Sequence, residues 1–88
     1  MYELELSEKL EKILGKLLNK DKVRYEATLK KMGEISTSTN IHHYKNLKHT
    51  MKGFKRVHID SHFVLIFRVD ENRNAIRFED LQHHDHIY

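Results

Sequence analysis

An α+β domain in the order strand, helix, helix, then three further strands is the fold class that this 88-residue sequence predicts. Three observations lead to it. Apolar residues recur with a helical period through the first half, they alternate or run together as in strands on either side, and turn-forming residues mark each change of period. The length suits one domain spanning 1–88. A chain this short buries only about 60 % of the surface its unfolded form exposes, so a shallow groove is expected rather than a deep cavity.

Each element has its own justification. Tyr2 to Leu6 alternates polar and apolar residues as a half-buried strand does. Ser7 is placed to cap a helix from Glu8 to about Asn19, where Leu10, Ile13, Leu14, Leu17 and Leu18 form one apolar stripe. Asp21 is a plausible N-cap for a second helix, with Tyr25, Leu29 and Met32 on one face and Gly33 as its stop. The short connection 19–21 makes the two helices an antiparallel hairpin. Beyond the polar loop 36–40, residues up to His49 are ambiguous between loop and helical turn. Gly53 then opens a strand, with Val57 and Ile59 facing one way and Phe54, Arg56 and His58 the other. His62 to Val69 is apolar on both faces, as a central strand is. Residues 70–74 supply a polar hairpin turn, and Ala75 to Leu81 returns as the last strand. Phe63, Phe67 and Phe78 are expected in the core, and Arg68 and Arg77 are expected to pair with Glu79 or Asp80 across the sheet.

Composition narrows the function classes. There is no cysteine, which removes disulfides and thiolate metal sites. The acidic start does not resemble a signal peptide, and no apolar run approaches the roughly 20 residues of a membrane span, so a soluble cytoplasmic protein with no membrane partner is expected. The net charge of +3 is uneven: residues 36–68 carry six Lys/Arg against one Asp/Glu, whereas residues 69–88 carry two against five. A basic middle third of this kind is the electrostatic footprint of phosphate binding.

Histidine carries the chemistry. All eight lie at or after His42, in and around the basic block. An imidazole can both take and give a proton near neutral pH, and strand alternation puts His58 on the same face as Arg56. In the closing HHDHIY, His84 and Tyr88 share a side whether the segment is extended or forms a helical turn. The same segment sets three imidazoles and a carboxylate within four residues. Consecutive ligands on one strand point to opposite faces and close a tetrahedral shell poorly, so neither a metal nor any other cofactor is expected.

The run from Leu47 to Tyr88, with Gly53–Phe54–Lys55, His58-x-x-x-His62–Phe63–Val64–Leu65–Ile66 and a terminal His84-x-x-x-Tyr88, resembles the RelE/ParE superfamily of toxins from toxin–antitoxin modules, above all its YafQ-like branch. With the helical hairpin included, the resemblance covers nearly the whole chain. It implies a twisted antiparallel sheet with two helices on one face and an mRNA interferase that cleaves message in the ribosomal A site. It also implies an antitoxin as partner, in a toxin–antitoxin hetero-oligomer. On the matching positions it puts His58 and His84 in catalysis and Tyr88 at an aromatic that stacks on or orients RNA. Arg56 and His62 complete the candidate catalytic set, and Lys45, Lys48, Lys52 and Lys55 are the candidate RNA contacts.

The sequence departs from the branch at several of these places. His62 stands where an acid is common and Phe63 where a tryptophan is. Arg56 replaces an acid, and Lys45 takes the place of a histidine. Better-known RelE members carry arginines at the positions of Val64 and His84. The resemblance therefore implies acid/base chemistry retained in type and altered in detail. Two other classes share the fold: a ParE-like toxin that binds gyrase and cuts nothing, and a catalytically inactive RNA-binding relative.

Overall fold

The structure, a computed structural model, describes residues 1–46 and 53–86. The chain runs β1 (Glu3–Leu6), α1 (Glu8–Lys20), α2 (Lys22–Ser36), a 3-10 turn (Ile41–His43), β2 (Lys45–Asn46), β3 (Phe54–His58), β4 (Phe63–Asp70), β5 (Ala75–His83) and a closing 3-10 turn (His84–His86). The strands form one sheet in the order β1-β5-β4-β3-β2. The pairs β2–β3, β3–β4 and β4–β5 are antiparallel, and β1 joins β5 in parallel, which makes the sheet mixed.

Local chemistry places the helix starts. The Ser7 hydroxyl accepts the Leu10 N–H at 3.0 Å and donates to the Glu79 carbonyl at 2.6 Å, so one side chain caps α1 and pins it to β5. Asp21 caps α2 by accepting the Arg24 N–H at 3.1 Å. The second helix does not stop at Gly33: it continues to Ser36, and the extra turn buries Ile35. Gly33 keeps a helical φ here, whereas Gly53 adopts φ +84°, the left-handed conformation that a side chain would strain. Leu18 and Leu29, expected on the apolar faces, are instead exposed, because the hairpin turns only a narrow stripe of each helix toward the sheet.

Strand β4 sits in the middle of the sheet, and Val64 to Phe67 are all buried, as the two-faced apolar run predicts. Its odd-numbered residues face the helices. Leu65 and Phe67 pack with Ile76, Phe78 and Leu81 of β5 and with Leu10, Leu14, Met32 and Ile35 of the hairpin. The register slips between Ile66, opposite Asp80, and Phe67, opposite Phe78, which leaves Glu79 as a bulge. That extra residue lets both Phe78 and Leu81 face the core although three positions separate them. Arg68 of β4 reaches the Glu79 carboxylate of β5 at 2.9 Å, the cross-strand pairing the sequence predicts, whereas Arg77 meets the same carboxylate at 3.1 Å from two residues away within β5.

Tyr44, ambiguous in the sequence, lays its ring edge-on against Phe67 at 5.6 Å between centroids. With Ile41 it covers the core beside β3. The short strand β2 that follows was not expected from the sequence. Two residues carry no readable period, and their pairing with Lys55 and Arg56 is a tertiary event.

Candidate active site

Register assembles the site on the sheet face opposite the helices. Lys45 pairs with Arg56, Arg56 with Ile66 and Ile66 with Asp80. The next row runs from His58 through Val64 to Gln82. Directly paired residues project to the same side of a sheet, so Lys45, Arg56 and His58 stand together beside a floor made by the buried Val64 and Ile66. At the far end of the first row, Asp80 accepts from Lys9 at 2.9 Å, which balances that carboxylate.

The chain end closes the second row. His84 follows β5, and its backbone N–H donates to the His62 carbonyl at 2.8 Å, which ties the tail to the start of β4. This brings the His84 ring within 6.4 Å of the His58 ring and 6.5 Å of the His62 ring. Two hydrogen bonds of about 2.8 Å to one phosphoryl group span a gap of that order. Beside His58, a groove of about 250 Å³ is lined by His43, Tyr44, Lys45, Arg56, Val57 and His58. His43 and Tyr44 join this lining with no signal in the local sequence pattern.

His62 is presented by the turn between β3 and β4, which Asp60 organises. Asp60 accepts the backbone N–H groups of His62 and Phe63 at 2.8 and 2.9 Å, and the Arg24 guanidinium at 2.9 Å. Arg24 also pairs with Asp21 at 2.9 Å and lies over the Phe63 ring at 4.0 Å. Partial burial raises the Asp60 pKa, but the His62 N–H, the Arg24 guanidinium and the Phe63 N–H outweigh it and hold the carboxyl below its ordinary value. The helical hairpin thereby positions the β3–β4 turn. An Asp followed by Ser ahead of an apolar run is a turn signal the sequence does offer. The Arg24 partner, 36 residues away, it does not.

Lys55 needs a correction. It projects from the opposite side of β3 to Arg56, is only 7 % exposed, and donates to the Tyr44 carbonyl at 3.3 Å and to Asn46 Oδ1 at 2.9 Å. Strand alternation and the covering segment 41–46 make it an internal tie between β2 and β3 rather than an RNA contact. Lys48, Lys52 and Tyr88 lie outside the described residues.

A larger concavity, about 720 Å³, lies at the other end of the sheet near the β4–β5 turn. Its charges are largely spent on one another, Arg73 on Glu5 and Asp70 and both Arg68 and Arg77 on Glu79, and the His42 ring lies 2.5 Å from the Glu71 carboxylate. The groove beside His58 has Lys45 and Arg56 in its lining and no carboxylate among the residues that line it.

No family model matches the sequence. Over all 88 residues it is 56 % identical to a Methanocaldococcus jannaschii protein named "Putative toxin RelE4", covering 92 % of that protein. Among solved structures, a metal-bound toxin from Helicobacter pylori superposes with a TM-score of 0.76 at 24 % identity, with all of both chains covered. The YoeB–YefM complex from Staphylococcus aureus matches at 0.77 and 15 %, covering 96 % of this chain and 98 % of that one. Escherichia coli YafQ matches at 0.69 and 15 %, covering 100 % and 99 %. These structures share the fold, and the sequence relative carries the assignment: a strand, a helical hairpin and a sheet in which His58 ends β3 and His84 follows β5 belong to a toxin of the RelE superfamily.

Proposed function

We propose that this chain is a ribosome-dependent endoribonuclease that cuts messenger RNA in the A site and so blocks translation. The observation that supports it most is the approach of His58 and His84 to 6.4 Å on the open sheet face that also carries Arg56 and Lys45. Cleavage by 2′-hydroxyl attack needs a base for that hydroxyl, cations against the charged phosphorane and an acid for the departing 5′-oxygen. One imidazole takes the 2′ proton as the 2′-oxygen bonds to phosphorus. The other protonates the 5′-oxygen as its bond to phosphorus breaks, leaving a cyclic phosphate and a free 5′-hydroxyl. Arg56 and Lys45 stabilise the phosphorane, with His62 beside the pair and Tyr88 as the aromatic that orients the RNA.

A protein antitoxin is the proposed silencing partner, in a hetero-oligomer like those in which similar folds are solved. Expressing the chain without its antitoxin and mapping message ends in a translating extract tests the reading. Codon-phased cuts and growth arrest are expected. Intact messages in cells that keep growing would refute it.

A further inference from the structure

We infer that His62, His83 and His84 form a binding site for a late first-row divalent ion, Zn²⁺ or Cu²⁺, and that filling it takes His84 out of proton transfer. The second half rests on the nuclease reading above, and the first half stands without it.

The three imidazoles offer ligand nitrogens that all lie within 4.8 Å of one another. Their rings are close and nearly parallel: His62 to His83 at 5.8 Å and 24°, His83 to His84 at 5.1 Å and 20°, and His62 to His84 at 6.5 Å and 25°. Nitrogens at about 2.0–2.1 Å from a tetrahedral ion stand roughly 3.3 Å apart, so side-chain rotation alone has to draw the donors together. All three can supply the movement: His62 is exposed at a turn, and His83 and His84 are only half-buried.

The backbone beneath the cluster is firmly held. The His84 N–H to His62 carbonyl bond fixes one pair, and Asp60 fixes the turn that presents His62. Phe63 meets the His83 ring edge-on at 5.4 Å. Asp85 places one carboxylate oxygen 3.0 Å from His84 Nε2 and the other 3.5 Å from His83 Nδ1. A carboxylate that holds one nitrogen of an imidazole while the other nitrogen coordinates is the usual outer partner of a metal-bound histidine.

The donor type selects the ion. Three neutral imidazoles suit zinc, copper and nickel, with copper the tightest, and suit magnesium poorly. Three protein ligands also leave a coordination position open to water or a phosphate oxygen. Alternation along one strand argued against ligation by this segment, and that argument fails at a strand end. The chain leaves β5 after His83 and turns into a 3-10 turn at His84, which swings the two neighbouring rings to the same side, while the third ring comes from β4's leading turn.

The test uses the full chain. ZnCl₂ is titrated calorimetrically in a non-coordinating buffer, with histidine-ring NMR correlations followed in parallel. One ion per chain is expected, with ring signals of His62, His83 and His84 moving and those of His42 and His43 still. His62→Gln and His83→Gln should each weaken binding at least about ten-fold, MgCl₂ should give no binding, and circular dichroism should show both variants folded. Absence of binding at millimolar zinc, or unchanged affinity in both variants, would overturn the site. In the message-cleavage assay, saturating zinc should arrest the unmodified chain and spare His83→Gln. Cleavage that continues with the site full would overturn the inhibitory role. A chain that binds zinc but never cuts message refutes the nuclease reading and leaves the ion site standing.

Discussion

The rings of His58 and His84 stand 6.4 Å apart although one ends β3 and the other follows β5. Strand β4 separates their strands, so the approach occurs only past its leading end. There the His84 N–H reaches the His62 carbonyl and the tail folds over the row begun by His58 and Val64. A pair made this way is sensitive to the turn that starts β4 as well as to the two residues themselves.

If these histidines share proton transfer, His58→Gln and His84→Gln should each reduce cleavage by about 10²–10⁴-fold. The double variant should lose little more than the worse single one, because groups that act in one step are not additive. Single-turnover rates on ribosome-bound message measure this, with thermal melts showing that neither variant unfolds. Additive losses would mean independent roles.

Arg56 and Lys55 are neighbours with opposite expected phenotypes. Arg56→Ala should weaken RNA binding and lower the salt slope by about one unit while leaving the melting temperature nearly unchanged. Lys55→Ala should leave the slope unchanged and cost stability, of order 1 kcal/mol, through the lost ties to Tyr44 and Asn46. Fluorescence binding at several salt concentrations, paired with thermal melts, separates the two.

Asp60 links the hairpin to the candidate site, so Asp60→Ala should lower stability by roughly 1–2 kcal/mol and loosen the His62 turn. Its carboxyl is held below the ordinary value of 3.8, so the folded state binds this proton less readily than the unfolded chain. Its contribution is therefore complete above about pH 4 and fades as the pH falls through the lower folded value. Urea melts at pH 3 and pH 6 should differ less for Asp60→Ala than for the unmodified chain.

Ser7 joins a helix cap to the sheet. Ser7→Ala removes the acceptor for Leu10 and the donor to Glu79, and should cost about 1–2 kcal/mol. For a domain of this size that corresponds to a fall of roughly 4–16 °C in melting temperature. Ser7→Asp, which restores the cap but not the donor, should recover part of the loss. Equal melting of all three proteins would show that the cap carries no stability.

Local pattern determined much of this protein. The helical stripe led by Leu10 and Leu14, the two-faced run of β4, the caps Ser7 and Asp21, and the shared side of Arg56 and His58 all follow from periods of 3.6 and 2 and from turn chemistry. Those are properties of neighbours along the chain. Tertiary structure alone decided the parallel seat of β1 on β5, the passage of α2 through Gly33 to bury Ile35, the inward tie of Lys55 and the Arg24–Asp60 support. It also decided the company His84 keeps. Period says which side a residue takes within an element, whereas the meeting of His58, His62, His83 and His84 depends on ladder register and on where each strand ends, and both are set by packing between distant segments.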